Sequence, residues 1–269
     1  MFFGTDRYYT SGIFLKYGDK VSIDSLILNN KISTRHITLG QKINSPSYRY
    51  TNELKKIDYP YNGWLFIEYK KKTFYSNYKG YSVGFQLGTT GDYESLSKPM
   101  QNLYHKYILD LPSLPWTSHQ PQSFHFNFIS EYYNGFNIHN SFNLLSQSEF
   151  YLGSYETYFG TRLGIQFGRL NYHAFYNNSF SNSDKSFSFY LGNKIEYSFH
   201  KYEFSGSLFD NNSLFKYDYL KLINKIEIGV FYNSNNWQIT AIINSKNKDL
   251  KIQRYNRHTY LTLIILKTF

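Results

Sequence analysis

The feature that most constrains this chain is a hydropathy period of two, sustained over long segments, with no apolar run of 18 residues or more that would cross a bilayer as a helix. In SFSFYLGNKIEYSF, residues 186–199, Phe187, Phe189, Leu191, Ile195, Tyr197 and Phe199 share one parity, and Ser186, Ser188, Gly192, Lys194, Glu196 and Ser198 share the other. Successive side chains of a strand point to opposite faces, so this stretch reads as a β-strand with one apolar and one polar face. Phe159, Leu163, Ile165 and Phe167 alternate in the same way with Tyr158, Gly160, Arg162, Gly164, Gln166 and Gly168. Phe124, Phe126, Phe128 and Tyr132 do so with Ser123, His125, Asn127 and Glu131.

The pattern predicts about twelve strands, at 6–17, 33–43, 62–72, 78–90, 122–133, 136–147, 152–168, 186–199, 201–209, 222–235, 236–247 and 256–268. Polar turns are expected at YNG, 133–135, and NSNN, 233–236. Long strands, short turns on one side, longer polar loops on the other and abundant tyrosine point to a transmembrane antiparallel β-barrel with aromatic girdles. Aromatic content supports this: 29 Tyr, 24 Phe and 3 Trp make 21% of the chain. A soluble antiparallel barrel or sandwich also alternates, but it hides its apolar face inside and rarely needs so many tyrosines. Pro, Gly and Ser nowhere gather into a linker, so residues 1–269 read as a single domain. A closed barrel has no free strand edge, and a monomer is expected.

Charge and cysteine narrow the function. The formal charge of +10 comes from Lys and Arg spread along the whole chain, not from a basic stripe interleaved with stacking aromatics, so no nucleic-acid partner is expected. Dispersed positive charge suits an anion-facing surface. There is no cysteine, which removes disulfides and thiolate metal sites. No G-x-S-x-G elbow, phosphate-binding glycine loop or H-E-x-x-H helix occurs, and His119 and His125, six apart across a proline-containing turn, are a weak metal signal.

One segment breaks the period of two. In DYESLSKPMQNLYHKYIL, Leu96, Met100, Leu103, Tyr104 and Tyr107 fall at helical spacing between two strands, where a long loop belongs. A short amphipathic α-helix on an extracellular loop is predicted, with Gln101 and His105 one turn apart at the edge of its apolar stripe, in position to point at the barrel wall. The final segment, RHTYLTLIILKTF, ends on Phe269 with Leu261, Leu263 and Ile265 on one parity. It resembles the terminal insertion signal of Gram-negative outer-membrane proteins.

Five stretches carry a closer resemblance: GTDRYYTSG (4–12), YPYNGWLFIEY (59–69), LGTTGDYESLSKPMQNLYHKYI (87–108), GSYETYFGTRLGIQFG (153–168) and the region from GSLFDNNSLFK (206) onward. In this order they resemble the outer-membrane lipid A 3-O-deacylases of the LpxR type, across essentially the whole chain. The resemblance implies a twelve-stranded barrel in the bacterial outer membrane, with lipid A, or lipopolysaccharide, as substrate among the outer-membrane lipids. It also implies a bound Ca²⁺ that polarises the ester carbonyl and a histidine that activates water. An oxygen-liganded cation stabilising an ester oxyanion, with a neutral imidazole as base, is sound chemistry for a cysteine-free protein.

The position matching the family's histidine is His105. Gln101, one turn earlier, orients the imidazole or solvates the helix. Asp6 is either an acid near the metal or a polar residue at a strand end, Thr10 in the same motif is placed with the substrate, and Asp110 is a candidate metal ligand after the helix, although LDLPSLPW matches the family poorly. Gly63 and Trp64 read as structural, the glycine giving a tight start to a strand and the tryptophan an interfacial anchor. Family members carry an Asn-Asp pair just before the segment matching MFFGTDRYYTSG, and the main calcium ligands are expected there, upstream of Met1. A start assigned late at an internal methionine, which would also remove the secretion signal, is expected over a degenerate copy. The competing functional expectation is a non-catalytic barrel, structural or a passive channel, whose interior about twelve strands would leave largely filled by side chains.

Overall fold

The structure, a computed structural model, describes residues 7–24, 31–76, 78–139, 141–168, 175, 185–209, 215–234 and 236–269. Among them, eleven strands form one antiparallel sheet in which each strand pairs with its neighbours in the chain. They are β1 (Tyr8–Asp24), β2 (Lys31–Ser45), β3 (Asn62–Phe74), β4 (Gly80–Thr90), β5 (Phe124–His139) and β6 (Phe142–Gly153). The sheet continues through β7 (Glu156–Gly168), β8 (Ser186–Lys201), β9 (Leu222–Ser234), β10 (Trp237–Asn247) and β11 (Arg257–Lys267). Helix α1 (Ser97–Tyr107) lies between β4 and β5, and the single turn α2 (Tyr202–Ser205) follows β8. The sheet curls into a nearly closed barrel.

The alternation read from the sequence becomes an inside-out distribution of polarity. On β5, Phe124 is 79% exposed while Asn127, three residues on and on the opposite face, is fully buried. On β8, Phe189 is 57% exposed while Ser188 is fully buried. The apolar parity faces outward on strand after strand, an arrangement that is stable only where the surroundings are hydrocarbon. No helix of the described residues is long and apolar enough to cross a membrane, and the strands do the crossing.

The inward parity is held by charge pairs and capped by aromatics. Lys70 lies between Glu68 and Glu131, at 3.5 and 3.1 Å; Arg162 meets Glu227 at 2.7 Å; Lys194 meets Glu149 and Glu196; Lys201 meets Glu196 at 3.1 Å. Removing one partner of such a buried pair typically costs about 3–5 kcal/mol, because the other charge is left unpaired. At the end with the short connections 75–79, 140–141 and 235–236, a cluster of Phe74, Tyr133, Leu145, Tyr190, Phe231 and Ile242 fills the lumen. At the end with the long loops, Trp64, Phe66, Tyr155 and Tyr202 pack together.

An odd number of alternating strands makes β1 and β11 run in the same direction, and no ladder joins them. They touch at the loop end, where His258 Nε2 lies 3.2 Å from the Tyr9 carbonyl oxygen, the Tyr9 and Tyr260 rings are 4.9 Å apart, and the Tyr255 amide donates to the Tyr8 hydroxyl at 3.3 Å. Below this contact the two edges part around a cleft of about 1200 Å³ lined both by outward-facing residues such as Ile13, Ile43 and Leu263 and by lumen-facing ones such as Phe66, Glu68 and Gln86.

Three sequence expectations are corrected. The reversal expected at 133–135 does not occur. Tyr133, Asn134 and Gly135 continue β5 opposite Gln147, Ser146 and Leu145, and the chain turns only after His139. Packing of Tyr133 against Phe74, with its hydroxyl bonded to Glu131 at 2.6 Å, overrides the local turn preference of Asn-Gly. The strand expected at 201–209 is replaced by α2, whose buried Tyr202 and Phe204 turn into the loop-end roof and whose Gly206 takes a left-handed φ of 75°. Trp64 is not in an interfacial belt. It shares parity with Phe66, Glu68 and Lys70, faces the lumen, and stacks on Tyr155 with centroids 4.2 Å apart and planes 8° from parallel.

Trp64→Ala therefore opens a cavity inside the barrel, and urea unfolding in lipid vesicles should show a loss of about 3–5 kcal/mol. A loss under about 1 kcal/mol would contradict the interior placement.

Candidate active site

Helix α1 presents the reverse of a globular amphipathic helix. Ser97, Gln101 and His105, spaced by four, are its buried residues, whereas Leu103, Tyr104 and Tyr107 on the other side are exposed. Side chains four apart stack on one helix face, so the polar stripe lies against the barrel and the apolar stripe faces away from it. The environment outside is lipid, and the helix has turned its apolar side to it.

Several local features seat this helix. Gly63 faces outward from β3, and a Cβ there would overlap the Ser95 and Ser97 hydroxyls, so glycine allows the start of α1 to lie on the wall. Gln41 on β2 donates to the Ser95 carbonyl at 2.7 Å, and Gln101 donates to the Ser45 hydroxyl at 2.8 Å. The other end of the Gln101 amide accepts the Trp116 indole N–H at 3.0 Å, and Trp116 stacks on Tyr61. Asn102 clamps the backbone of Leu114, drawing the loop after α1 back over β2, where Ile43, Tyr61, Leu114 and Trp116 form a small core outside the barrel. At the helix start, Lys98 bonds Asp92 at 2.9 Å. Burial works to raise the Asp92 carboxyl, but the Lys98 hydrogen bond, with the charges of His119 and Lys98, holds it below the usual carboxylate range.

His105 ends the stripe, 1% exposed, with its Nδ1 3.3 Å from the hydroxyl of Tyr50 in the β2–β3 loop. It lies at the loop end of the cleft between β1 and β11, together with Thr10, Gln41, Lys42, Gln101, Tyr104 and His258. Three buried polar atoms on these lining residues have no protein partner: Thr10 Oγ1, Gln41 Oε1 and His258 Nδ1. Buried polar groups are normally bonded, so unpaired ones grouped at a cleft mark a place where a polar ligand or water binds. Farther down, the lining turns apolar through Ile13, Phe14, Leu261, Leu263 and Ile265. The cleft is thus amphiphilic, with an imidazole and unpaired polar atoms at the loop end and, below them, an apolar outward-facing side opposed by Lys16, Thr38, Glu68 and Gln86 on the lumen side.

The sequence candidates divide. His105, Gln101 and Thr10 are brought together in the cleft, with Gly63 beneath the helix. The Gln101 amide is committed to Ser45 and Trp116, which makes it the staple that fixes α1 to the wall. Asp110 stands exposed in the following loop with a left-handed φ of 51°. Asp6 lies outside the described residues. His119 is bonded to the Trp116 carbonyl while His125 sits between Thr90 and Ser154, so the two share no site. Gln41, Tyr50 and His258 were not singled out from sequence. For Gln41 a signal existed: with Ser45 it places polar side chains on the outward parity of β2 beside Ile37, Leu39 and Ile43. A polar group on the lipid face of a strand needs something docked over it.

Calcium binds six to eight oxygens, carboxylates prominent among them. The side-chain oxygens at the loop end beside His105 belong to Thr10, Gln41, Ser45, Tyr50 and Gln101, the one carboxylate of the cleft is Glu68 on the lumen parity, and no three His, Asp or Glu side chains of the described residues gather to hold a metal. The residues described here do not fit that ion.

The family described as "Outer membrane protein LpxR" matches residues 1–264. Among solved structures, the one titled "LpxR from Salmonella typhimurium" superposes with a TM-score of 0.80 at 15% sequence identity, covering 98% of this chain and 90% of that chain. No curated protein sequence matches the chain.

Gly63→Val should lift α1 from the wall while leaving the strands paired. Limited proteolysis in micelles should then cut within residues 97–107 with the rest of the barrel intact; resistance equal to wild type would refute the close approach.

Proposed function

The chain belongs to the LpxR family of outer-membrane proteins, and from that premise we propose that it hydrolyses the 3-O-linked acyl ester of lipid A in the outer leaflet, with His105 as general base. The observation that carries this reading is the placement of a buried imidazole at the loop end of a cleft that β1 and β11 line from their outward parity with Ile13, Leu261, Leu263 and Ile265. An acylated sugar lipid has that same division, an ester and hydroxyls above a hydrocarbon chain. With the acyl chain along Ile13 and Leu263, the ester reaches the level of Thr10, Gln41 and His105. His105 then takes a proton from water as the water attacks the carbonyl, and it returns that proton to the sugar oxygen as the acyl C–O bond breaks and the free fatty acid forms, while Tyr50, bonded at Nδ1, fixes the ring orientation. Thr10 and Gln41 bond the polar groups around the ester, and Gln101 holds the helix so that the imidazole stays in register with the wall. The family resemblance implies that a bound calcium supplies Lewis-acid stabilisation of the ester oxyanion; the described residues do not provide its ligands, and the roles above are derived from the side chains alone.

His105→Ala should lower the deacylation rate by about 10²-fold or more, with unchanged heat-modifiable migration of the folded barrel. Deacylation at the wild-type rate would sink the assignment.

The passive-channel reading fares worse. The lumen holds the ion pairs of Lys70, Arg162, Lys194 and Lys201, and the aromatic cluster lies across its turn end. Planar bilayers containing the purified protein should show no steady single-channel conductance, and stable openings would favour the channel.

A further inference from the structure

The loop-end rim beside the cleft carries an arrangement that the hydrolytic reading does not use. The Arg7 guanidinium carbon lies 3.5 Å from the centroid of the Tyr255 ring, the Arg254 guanidinium carbon lies 5.8 Å from the same ring, and it lies 4.8 Å from the Tyr48 ring. Neither arginine has a carboxylate within 4.0 Å among the described residues, and Arg7 Nε is buried with no hydrogen-bond partner. Among the other described arginines, Arg35 is matched by Asp19 and Arg162 by Glu227, while Arg257 is bonded to Ser245.

The backbone under these two arginines is rigidly built. Asp58, buried, accepts the Arg254 amide at 3.1 Å, the Ser47 amide and hydroxyl at 2.9 Å each, and the Tyr8 hydroxyl at 2.8 Å. Tyr8 follows Arg7, and its hydroxyl also takes the Tyr255 amide. One carboxylate therefore fixes the three segments that carry Arg7, Tyr48 and Arg254, without neutralising either guanidinium through an ion pair. The same Ser47 segment continues to Tyr50 on His105, three residues away, a span of at most about 10 Å. Two ordered, unneutralised guanidiniums held on aromatic faces form a recognition element for a phosphate, which accepts paired N–H donors from each.

We propose that Arg7 and Arg254, framed by Tyr255 and Tyr48, bind a phosphate monoester on the sugar headgroup of the lipid whose acyl chain occupies the cleft, and so select phosphorylated lipid. The identity of the lipid rests on the deacylase reading above; the anion chemistry rests on the arginines alone. The rim thereby fixes the headgroup at one end while the cleft fixes the chain at the other.

The test compares wild type, Arg7→Gln, Arg254→Gln and the double variant on lipid A and on the same lipid stripped of its phosphates, both in mixed micelles. Wild type should prefer the phosphorylated lipid about tenfold in kcat/KM, carried by KM, and the double variant should lose that preference while keeping its rate on the stripped lipid. Equal losses on both substrates, or a preference surviving in the double variant, would overturn the proposal. Should wild type cleave neither lipid, the deacylase reading fails by itself, and native mass spectrometry of lipid binding decides the arginine site. There, phosphate-dependent binding abolished in the double variant supports it, and phosphate-independent binding refutes it.

Discussion

A peptide group in hydrocarbon has no water to bond, and this requirement organises the molecule. It forces the backbone into a ladder that runs from β1 to β11, and it inverts polarity, because side chains that face out must be apolar while polar ones can be kept only where they bond one another. The interior ion pairs follow from the same constraint. Lys70 is tolerated in the lumen because Glu68 and Glu131 flank it, and Arg162 because Glu227 and Gln147 receive its guanidinium. Helix α1 obeys the rule at a smaller scale, with the hydrogen bonds of Gln41, Ser95, Ser45 and Gln101 sealed between helix and wall and Leu103 and Tyr107 left outside.

Much of this was legible in the sequence, for a definite reason. A period of two over a dozen residues is a strong signal when one face meets lipid, and β3, β4, β8, β9, β10 and β11 lie close to where it put them. The errors came where a local cue stood against the barrel. Asn134-Gly135 is a good hairpin turn in isolation, but the aromatic plug on Tyr133 and Leu145 needs β5 to continue past it. Trp64 has the composition of an interfacial anchor, yet its parity with Glu68 and Lys70 assigns it to the lumen, and parity is the cue to follow.

The site was half legible. The helical spacing of Gln101 and His105 placed both on one face, and that face does meet the wall. What spacing along the chain does not convey is that Thr10, Gln41 and His258, from three separate segments, converge on the same cleft, with Tyr50 bonded to His105 at its edge. Such convergence is a property of the barrel's closure, which brings the first and last strands side by side although they lie some 250 positions apart, as in the contact of His258 with Tyr9.

On the outward parity of β1 and β11 the cleft is lined by Ile13, Leu261 and Ile265, side chains of the lipid-facing wall. A lipid substrate, as proposed above, would reach it by lateral diffusion in two dimensions. The concentration that governs occupancy is a mole fraction of the leaflet, unaltered when the aqueous volume around the cell changes. For such a substrate, membrane composition, packing order and whatever competes for the same outer-leaflet area become the variables that set occupancy.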